Sequence, residues 1–193
     1  MILSYNGVSP QFGESNLVAP GAFVIGDVVS GDYCSFWFNA VVRGDVHYVR
    51  IGNLTNIQDN CVIHEAHLTP VIIGDQVTVG HGATIHACTI QNRCLIGINS
   101  TILDNADVGE GSIIAANSVV RPHTKIPERT LMAGVPAKPV REVTDEEYQN
   151  IIGYANRYRG YMSTYLDGIK GAEANLFLPL PVRQELPRLE GRE

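Results

Sequence analysis

Isoleucine and valine recur every six residues through most of this 193-residue chain. The longest uninterrupted series is Ile90, Ile96, Ile102, Val108, Ile114, Val120 and Ile126. Shorter series are Ile51, Ile57 and Ile63, then Ile73, Val79 and Ile85, after a less regular run of Ile25, Ser30, Phe36 and Val42. A six-residue step matches neither the α-helix nor the coiled-coil heptad. It matches a parallel β-helix whose triangular coils each take three hexapeptides, so the sequence predicts an all-β solenoid.

Small residues flank these repeat positions. A glycine often follows, as in Ile51-Gly52, Ile73-Gly74 and Ile96-Gly97, and the position two before is small or β-branched. We expect the apolar side chain to be buried at a corner of the coil, with the glycine allowing a tight bend. The handedness is predicted to be left-handed by analogy with known hexapeptide proteins, against the usual right-handed preference of parallel crossovers.

The four cysteines follow the same repeat. Each lies two residues before a repeat position, and they are Cys34, Cys61, Cys88 and Cys94. Because buried cysteine behaves as a small hydrophobic residue, this placement favours core packing over metal or redox chemistry.

The repeat is expected to end near Ile126, where a segment rich in Pro and Gly reads as a connector. Thr144 and Glu147 then form a capping box ahead of a helical pattern from about 145 to 167. The predicted organisation is a left-handed β-helix domain at 1–140, a C-terminal α-helix packed along it at 141–168, and an extended Pro-rich tail at 169–193.

Charge and hydropathy exclude several classes of partner. With 14 Lys and Arg against 20 Asp and Glu, the net charge of −6 argues against a nucleic-acid partner. No apolar run approaches the roughly 18 residues of a membrane span, and the first ten residues lack the pattern of a signal peptide. A soluble, cytoplasmic protein is the expectation.

Two longer steps in the repeat, Val42 to Ile51 and Ile63 to Ile73, place insertions at one corner of successive coils. Arg43, His64 and His86 each follow a repeat residue at that corner, so they should form a column. Successive coils stack about 4.8 Å apart, and at that separation two imidazoles can bind one metal ion.

His81 follows a repeat residue at a different corner. Five extended residues separate it from His86 by roughly 16 Å, too far for one ion. His81 can instead complete the site of a neighbouring chain if three solenoids pack as a cyclic homotrimer. A set of three imidazoles with an open fourth position suits catalytic zinc, Zn2+, best, although Fe2+ or Co2+ can also occupy it.

The segments "VVRGD", "NIQDNCVIH" and "VGHGATIH" resemble the gamma-class carbonic anhydrase family, whose members are left-handed β-helix proteins, over roughly residues 15–145. The resemblance implies reversible hydration of CO2 to bicarbonate and a homotrimer. It also implies a metal held by His64, His81 and His86, with His81 donated across the interface. Further residues match family positions around the metal. Arg43 and Asp45 match an interface ion pair, and Gln58 matches a partner of the metal-bound water. Asn56 matches a residue that orients CO2, and Tyr158 matches a helix tyrosine near the metal.

The chain also departs from the founding archaeal member of the family, which has a Glu after the "RGD" aspartate and a longer loop carrying a Glu proposed as proton shuttle. Here Val46 follows Asp45, and His67 stands where the shuttle would be expected. His67 is therefore either the shuttle or an ordinary loop residue. Two other functions remain open: a hexapeptide acyltransferase or acyl-CoA thioesterase, and a metal-binding or assembly protein without turnover.

Overall fold

The computed structural model describes residues 1–168, which form twenty β-strands followed by one α-helix. The strands are β1 (Ile2–Leu3), β2 (Gln11–Phe12), β3 (Leu17–Val18), β4 (Phe23–Ser30), β5 (Ser35–Phe36), β6 (Val41–Ile51), β7 (Asn56–Ile57), β8 (Val62–His64), β9 (Val71–Ile73), β10 (Thr78–Val79), β11 (Thr84–His86), β12 (Thr89–Ile90), β13 (Leu95–Ile96), β14 (Thr101–Ile102), β15 (Asp107–Val108), β16 (Ile113–Ile114), β17 (Val119–Val120), β18 (Lys125–Ile126), β19 (Thr130–Ala133) and β20 (Lys138–Glu142). The helix is α1 (Asp145–Gly168).

The strands stack in parallel into three faces of a left-handed β-helix of about seven turns, as the hexapeptide repeat predicted. The first face contains β8, β11, β14 and β17, and the second contains β9, β12, β15 and β18. The third face runs from β3 through β5, β7, β10, β13 and β16 to β19. Strand β6 serves two faces, because residues 41–43 pair with β8 whereas residues 49–51 pair with β9.

The repeat residues form the core, but they do not lie at the corners as expected. Most are the inward-facing second residue of a short strand, and Ile57 and Ile96 are typical in being fully buried. Ile25 is an exception, because it is only partly buried and its neighbour Val24 is the core residue. The corners are the two-residue turns that follow, with left-handed backbone at residues such as Asn99 (φ 54). The glycines permit close approach of coils rather than bending, since a Cβ on Gly109 would lie 2.6 Å from the backbone nitrogen of Glu128.

All four cysteines are buried and have free thiols. They pack in the same core cluster as the repeat residues. The prediction that they fill the core is confirmed.

The C-terminal end of the solenoid differs from the prediction. The repeat was expected to end near Ile126, yet β19 extends the third face by pairing in parallel with β16. Strand β20 then folds back antiparallel on β19, so the segment read as a connector is a β-hairpin. Strand β19 joins the third face because the buried Met132 continues the inward pattern beyond the last regular hexapeptide, beside Ile114. The predicted boundary at residue 140 falls inside β20.

Helix α1 begins with the predicted capping box. The Thr144 hydroxyl accepts the Glu147 N–H at 3.2 Å, and the Glu147 carboxylate accepts the Thr144 N–H at 2.9 Å. The helix lies along the third face, where its buried Met162 packs with Leu17 and Trp37. Within residues 1–168, no helix combines the length and apolar character that a membrane crossing requires. The predicted tail at 169–193 lies outside the described residues.

Candidate metal centre

Two histidines meet at the corner that follows the first face. Strand pairing places Arg43 beside His64 and His64 beside His86, which agrees with the column expected from the spacing. The two imidazole rings approach so that His64 Nδ1 lies 3.3 Å from His86 Nε2. Both rings remain partly accessible, with His64 19% and His86 33% exposed.

Aspartates contact the opposite side of each ring. Asp104, from the next coil, lies 2.6 Å from His86 Nδ1, and Asp45 lies 3.3 Å from His64 Nε2. Arg43 donates from Nη1 to both carboxylate oxygens of Asp45, at 2.8 and 2.6 Å. Burial alone would raise the pKa of Asp45, but the hydrogen bonds and positive charge of Arg43, with a smaller contribution from His64, lower it overall.

Glu65 is a fully buried carboxylate beneath this corner. Its Oε1 accepts three consecutive backbone N–H groups, from Asp45 at 3.0 Å, Val46 at 2.7 Å and His47 at 3.0 Å. Asp45, His64 and Glu65 offer ligand atoms within 4.8 Å of one another. We do not assign a metal to this trio, because Glu65 Oε1 already holds the β6 backbone and Asp45 already binds Arg43.

His81 lies in the turn between β10 and β11, at a different corner. Its Nδ1 is 2.7 Å from the Asp59 carboxylate, and its backbone N–H donates to Gln58 Oε1 at 3.2 Å. With 44% of its side chain exposed, His81 is the most accessible of the three histidines. It therefore presents an oriented imidazole at the surface.

A chain of amides fixes the orientation of Gln58. Because the His81 N–H is a donor, the atom of Gln58 facing it must be oxygen, and Gln58 Nε2 then donates to Asn56 Oδ1 at 3.2 Å. Asn56 Nδ2 in turn donates to the Thr78 hydroxyl at 2.9 Å. Asn56 is only 1% exposed, so within one chain its contacts are with Gln58 and Thr78 rather than with solvent.

Tyr158 belongs to the His81 side of the molecule. It projects from α1 against Trp37, with ring centroids 5.5 Å apart and an edge-to-face angle of 80°. Burial raises the pKa of the Tyr158 hydroxyl, and the negative charge of Asp59 raises it further. Because the charge of Asp59 acts on the Tyr158 hydroxyl, we group Tyr158 with the Asp59–His81 pair.

The candidate residues thus form two groups. We call them the His64 group, consisting of Arg43, Asp45, His64, Glu65, His86 and Asp104, and the His81 group, consisting of Asn56, Gln58, Asp59, His81 and Tyr158. Among residues 1–168, no hydrogen bond or ion pair joins the two groups. A single chain therefore brings together two of the three predicted metal ligands.

Asp104 and Glu65 were not predicted from the sequence. Asp104 follows Leu103, which the repeat places in the column after His86. The register could therefore have indicated that Asp104 lies close to His86. Glu65 directly follows His64 and gave no signal, because nothing in its spacing indicates that it turns inward. His67, the shuttle candidate, is exposed in a tight turn closed by the Ala66–Thr69 bridge.

Comparison with known proteins places this architecture in a family. Residues 87–122 match the model for the bacterial transferase hexapeptide (six repeats). The chain is 51% identical over 141 residues to a protein of Methanocaldococcus jannaschii named "Probable carbonic anhydrase", covering 73% of this chain and 89% of that protein. It is 42% identical over 156 residues to gamma carbonic anhydrase 2, mitochondrial, of Arabidopsis thaliana, covering 78% of this chain and 56% of that longer protein.

Among solved structures, a hexapeptide transferase family protein from Anaplasma phagocytophilum superposes with a TM-score of 0.82 at 38% identity, covering 85% of this chain and 97% of that chain. The fold and repeat therefore define a hexapeptide-repeat protein. More narrowly, the chain belongs to the gamma-class carbonic anhydrase-like family of such proteins.

Proposed function

We propose that this protein catalyses the reversible hydration of CO2 to bicarbonate with a divalent metal ion, Zn2+ first among the candidates, held by His64, His81 and His86. The observation that carries the proposal is the 3.3 Å approach of His64 Nδ1 to His86 Nε2. Two nitrogens roughly 2.0–2.1 Å from one tetrahedral ion are about 3.3 Å apart, so the pair already has the spacing of two ligands. The relatives named as carbonic anhydrases support the reaction.

The surroundings of the histidines also fit a metal. Ligating histidines almost always donate their second ring N–H to a carboxylate or carbonyl. His86 and His81 both have a carboxylate within 2.7 Å of Nδ1, which leaves Nε2 available to the ion. When held by three imidazoles, such an ion lowers the pKa of a water toward 7 and so supplies hydroxide at neutral pH.

The third ligand must come from a second chain. His81 lies with Gln58 at a corner that has no polar contact with the His64–His86 pair inside residues 1–168. In a cyclic trimer, the His81 group of one chain meets the His64 group of its neighbour, and each boundary contains one complete site. The Arg43–Asp45 pair lies at the same boundary, where it holds the side of His64 remote from His86.

Gln58 and Asn56 then have distinct tasks. Gln58 Nε2 keeps one N–H beyond its bond to Asn56, and this donor can hold the attacking oxygen without binding the metal. We assign Asn56 the orientation of Gln58, because its buried amide is fully engaged by Gln58 and Thr78. Tyr158 belongs to the His81 group because its hydroxyl interacts electrostatically with Asp59.

A stopped-flow CO2 hydration assay on zinc, cobalt and iron forms of the purified protein tests this function. We expect turnover that disappears on chelation and returns with the metal. Full metal occupancy in all three forms without any hydration above the uncatalysed rate would overturn the proposal in favour of a metal-binding protein without turnover.

An acyltransferase or thioesterase is the second candidate, supported by the 38% identity to a hexapeptide transferase family protein. Such an enzyme requires one basic histidine and no metal. The carboxylate-oriented histidines at two corners favour the anhydrase. Release of coenzyme A from acetyl-CoA by metal-free protein, abolished by removal of a single histidine, would favour the transferase.

A further inference from the structure

Asp104 makes the shortest polar contact to either histidine of the His64 group. Its Oδ1 lies 2.6 Å from His86 Nδ1, and its backbone is held by the coils on both sides. The Asn105 N–H donates to the Ala87 carbonyl at 2.7 Å, and the His123 N–H donates to the Asp104 carbonyl at 2.9 Å. The carboxylate is therefore presented to His86 from a rigid part of the solenoid.

This contact decides which nitrogen of His86 carries the proton. A carboxylate only accepts hydrogen bonds, so a neutral His86 paired with Asp104 must carry its hydrogen on Nδ1. The lone pair then lies on Nε2, the nitrogen that faces His64. Without Asp104, the two tautomers of the imidazole would compete, and one of them presents an N–H where the metal requires a lone pair.

The pair does little for the fold itself. The side chains of His86 and Asp104 are 33% and 39% exposed, and ion pairs this exposed contribute little to the free energy of unfolding. A short, well-oriented contact that adds little to folding but sets the tautomer of a ligand is typical of a metal's supporting shell. Asp59 contacts His81 Nδ1 in the same way, at 2.7 Å from the neighbouring coil.

We propose that Asp104 is a positioning residue that fixes the Nδ1–H tautomer of His86 and so sets the metal affinity of the site. The proposal rests on the metal site of the proposed function. Asp104 touches neither substrate nor metal and acts only through His86.

The test measures the Co2+ affinity of the full-length chain by competition with a chelator. Asp104→Ala removes the acceptor, and Asp104→Asn keeps the shape but can donate to Nδ1 and so favour the wrong tautomer. Both variants should bind Co2+ roughly 10–100-fold more weakly, with a midpoint of thermal unfolding in the metal-free state close to that of the native protein. Asp107→Asn is the matched control, since Asp107 is similarly exposed but pairs with Lys125. The Co2+ affinity of this variant should stay within about twofold of the native value.

Long-range 1H–15N spectra of the metal-free chain give a second readout. His86 should be protonated on Nδ1 in the native protein, and Asp104→Ala should contain a mixture of the two His86 tautomers. Native affinity in both Asp104 variants, with binding lost in His86→Ala, would overturn this inference and leave the metal site intact. Native affinity in His86→Ala would overturn the metal site itself. A lowered midpoint of thermal unfolding in both Asp104 variants with unchanged Co2+ affinity would assign Asp104 to the fold.

Discussion

His64 and His86 end consecutive strands of the first face, and strand register alone brings their ring nitrogens to 3.3 Å. The strands are 22 residues apart in sequence, so one coil plus an insertion separates the two imidazoles. The strand register of the solenoid therefore positions the two proposed metal ligands.

Removing either histidine of this pair should abolish stable metal binding. We expect about one metal ion per chain in the native protein and essentially none in His64→Ala or His86→Ala, because two remaining imidazoles cannot close the site. Elemental analysis of the purified proteins measures this directly. His123→Ala is a control, since the His123 side chain is exposed and its contact with Asp104 is made by a backbone N–H that alanine keeps. Full occupancy in both pair variants would rule out the assignment.

Gln58→Ala should keep the metal yet lower CO2 hydration roughly 10–100-fold, because losing a hydrogen-bonding partner of the site has effects of that size. Asn56→Ala should change activity in the same direction, since Asn56 orients the Gln58 amide. Metal content and hydration rate, measured on the same samples, separate binding from turnover. A native rate in Gln58→Ala would remove that residue from the mechanism.

His67 is testable as the proton shuttle because it is exposed next to the corner and imidazole is a common proton carrier in enzymes. If it carries protons to solvent, His67→Ala should lose rate mainly in weak buffer and regain it with added imidazole. Hydration rates of both proteins across a series of buffer concentrations provide the measurement. Identical buffer dependence in variant and native protein would make His67 an ordinary loop residue.

The buried thiols should make the fold sensitive to alkali. Burial raises the pKa of Cys34, Cys61 and Cys94 to about 12, and it raises the pKa of Cys88 as well. Since unfolded thiols ionise near pH 8.5, the protonated core contributes fully below that pH and progressively less as pH rises toward 12. The free energy of unfolding should therefore fall between pH 8.5 and pH 11 or so.

Reaction with a thiol reagent at pH 8 checks the same burial. The native protein should react only as fast as it opens, and all four cysteines should react at once in denaturant. Rapid labelling of the folded protein would contradict the core assignment.

The fold was predictable because the inward-facing strand positions recur every six residues and carry apolar side chains. Ile57, Val79 and Ile96 are examples. The column of Arg43, His64 and His86 was predictable for the same reason, since register follows from the period. The β19–β20 hairpin was not, because Pro and Gly there mark turns without indicating that the backbone returns to pair with itself.

The supporting carboxylates were harder to predict. Asp104 lies in a turn where a polar residue is ordinary, so the register indicates its place beside His86 but the side-chain geometry is needed to show the hydrogen bond. Glu65 is a charged residue on an insertion, which a sequence pattern places in solvent, yet it is buried, with Oε1 held by three backbone N–H groups in β6 and Oε2 without a hydrogen-bond partner among residues 1–168. The six-residue period of the sequence gives no indication of these local hydrogen bonds.

We propose that each metal site combines His64 and His86 of one chain with His81 of another. A pure His81→Ala trimer and a pure His64→Ala trimer should each lack an intact site. In a mixed cyclic trimer, one boundary joins a His81→Ala chain, which supplies His64 and His86, to a His64→Ala chain, which supplies His81.

Unfolding and refolding the two variants together, followed by metal analysis and a CO2 hydration assay, is the most direct measurement. The shared-site account predicts recovery of about one site in three in each mixed trimer, with metal and activity returning together. No recovery in trimers whose mixed composition is established by native mass spectrometry would contradict it.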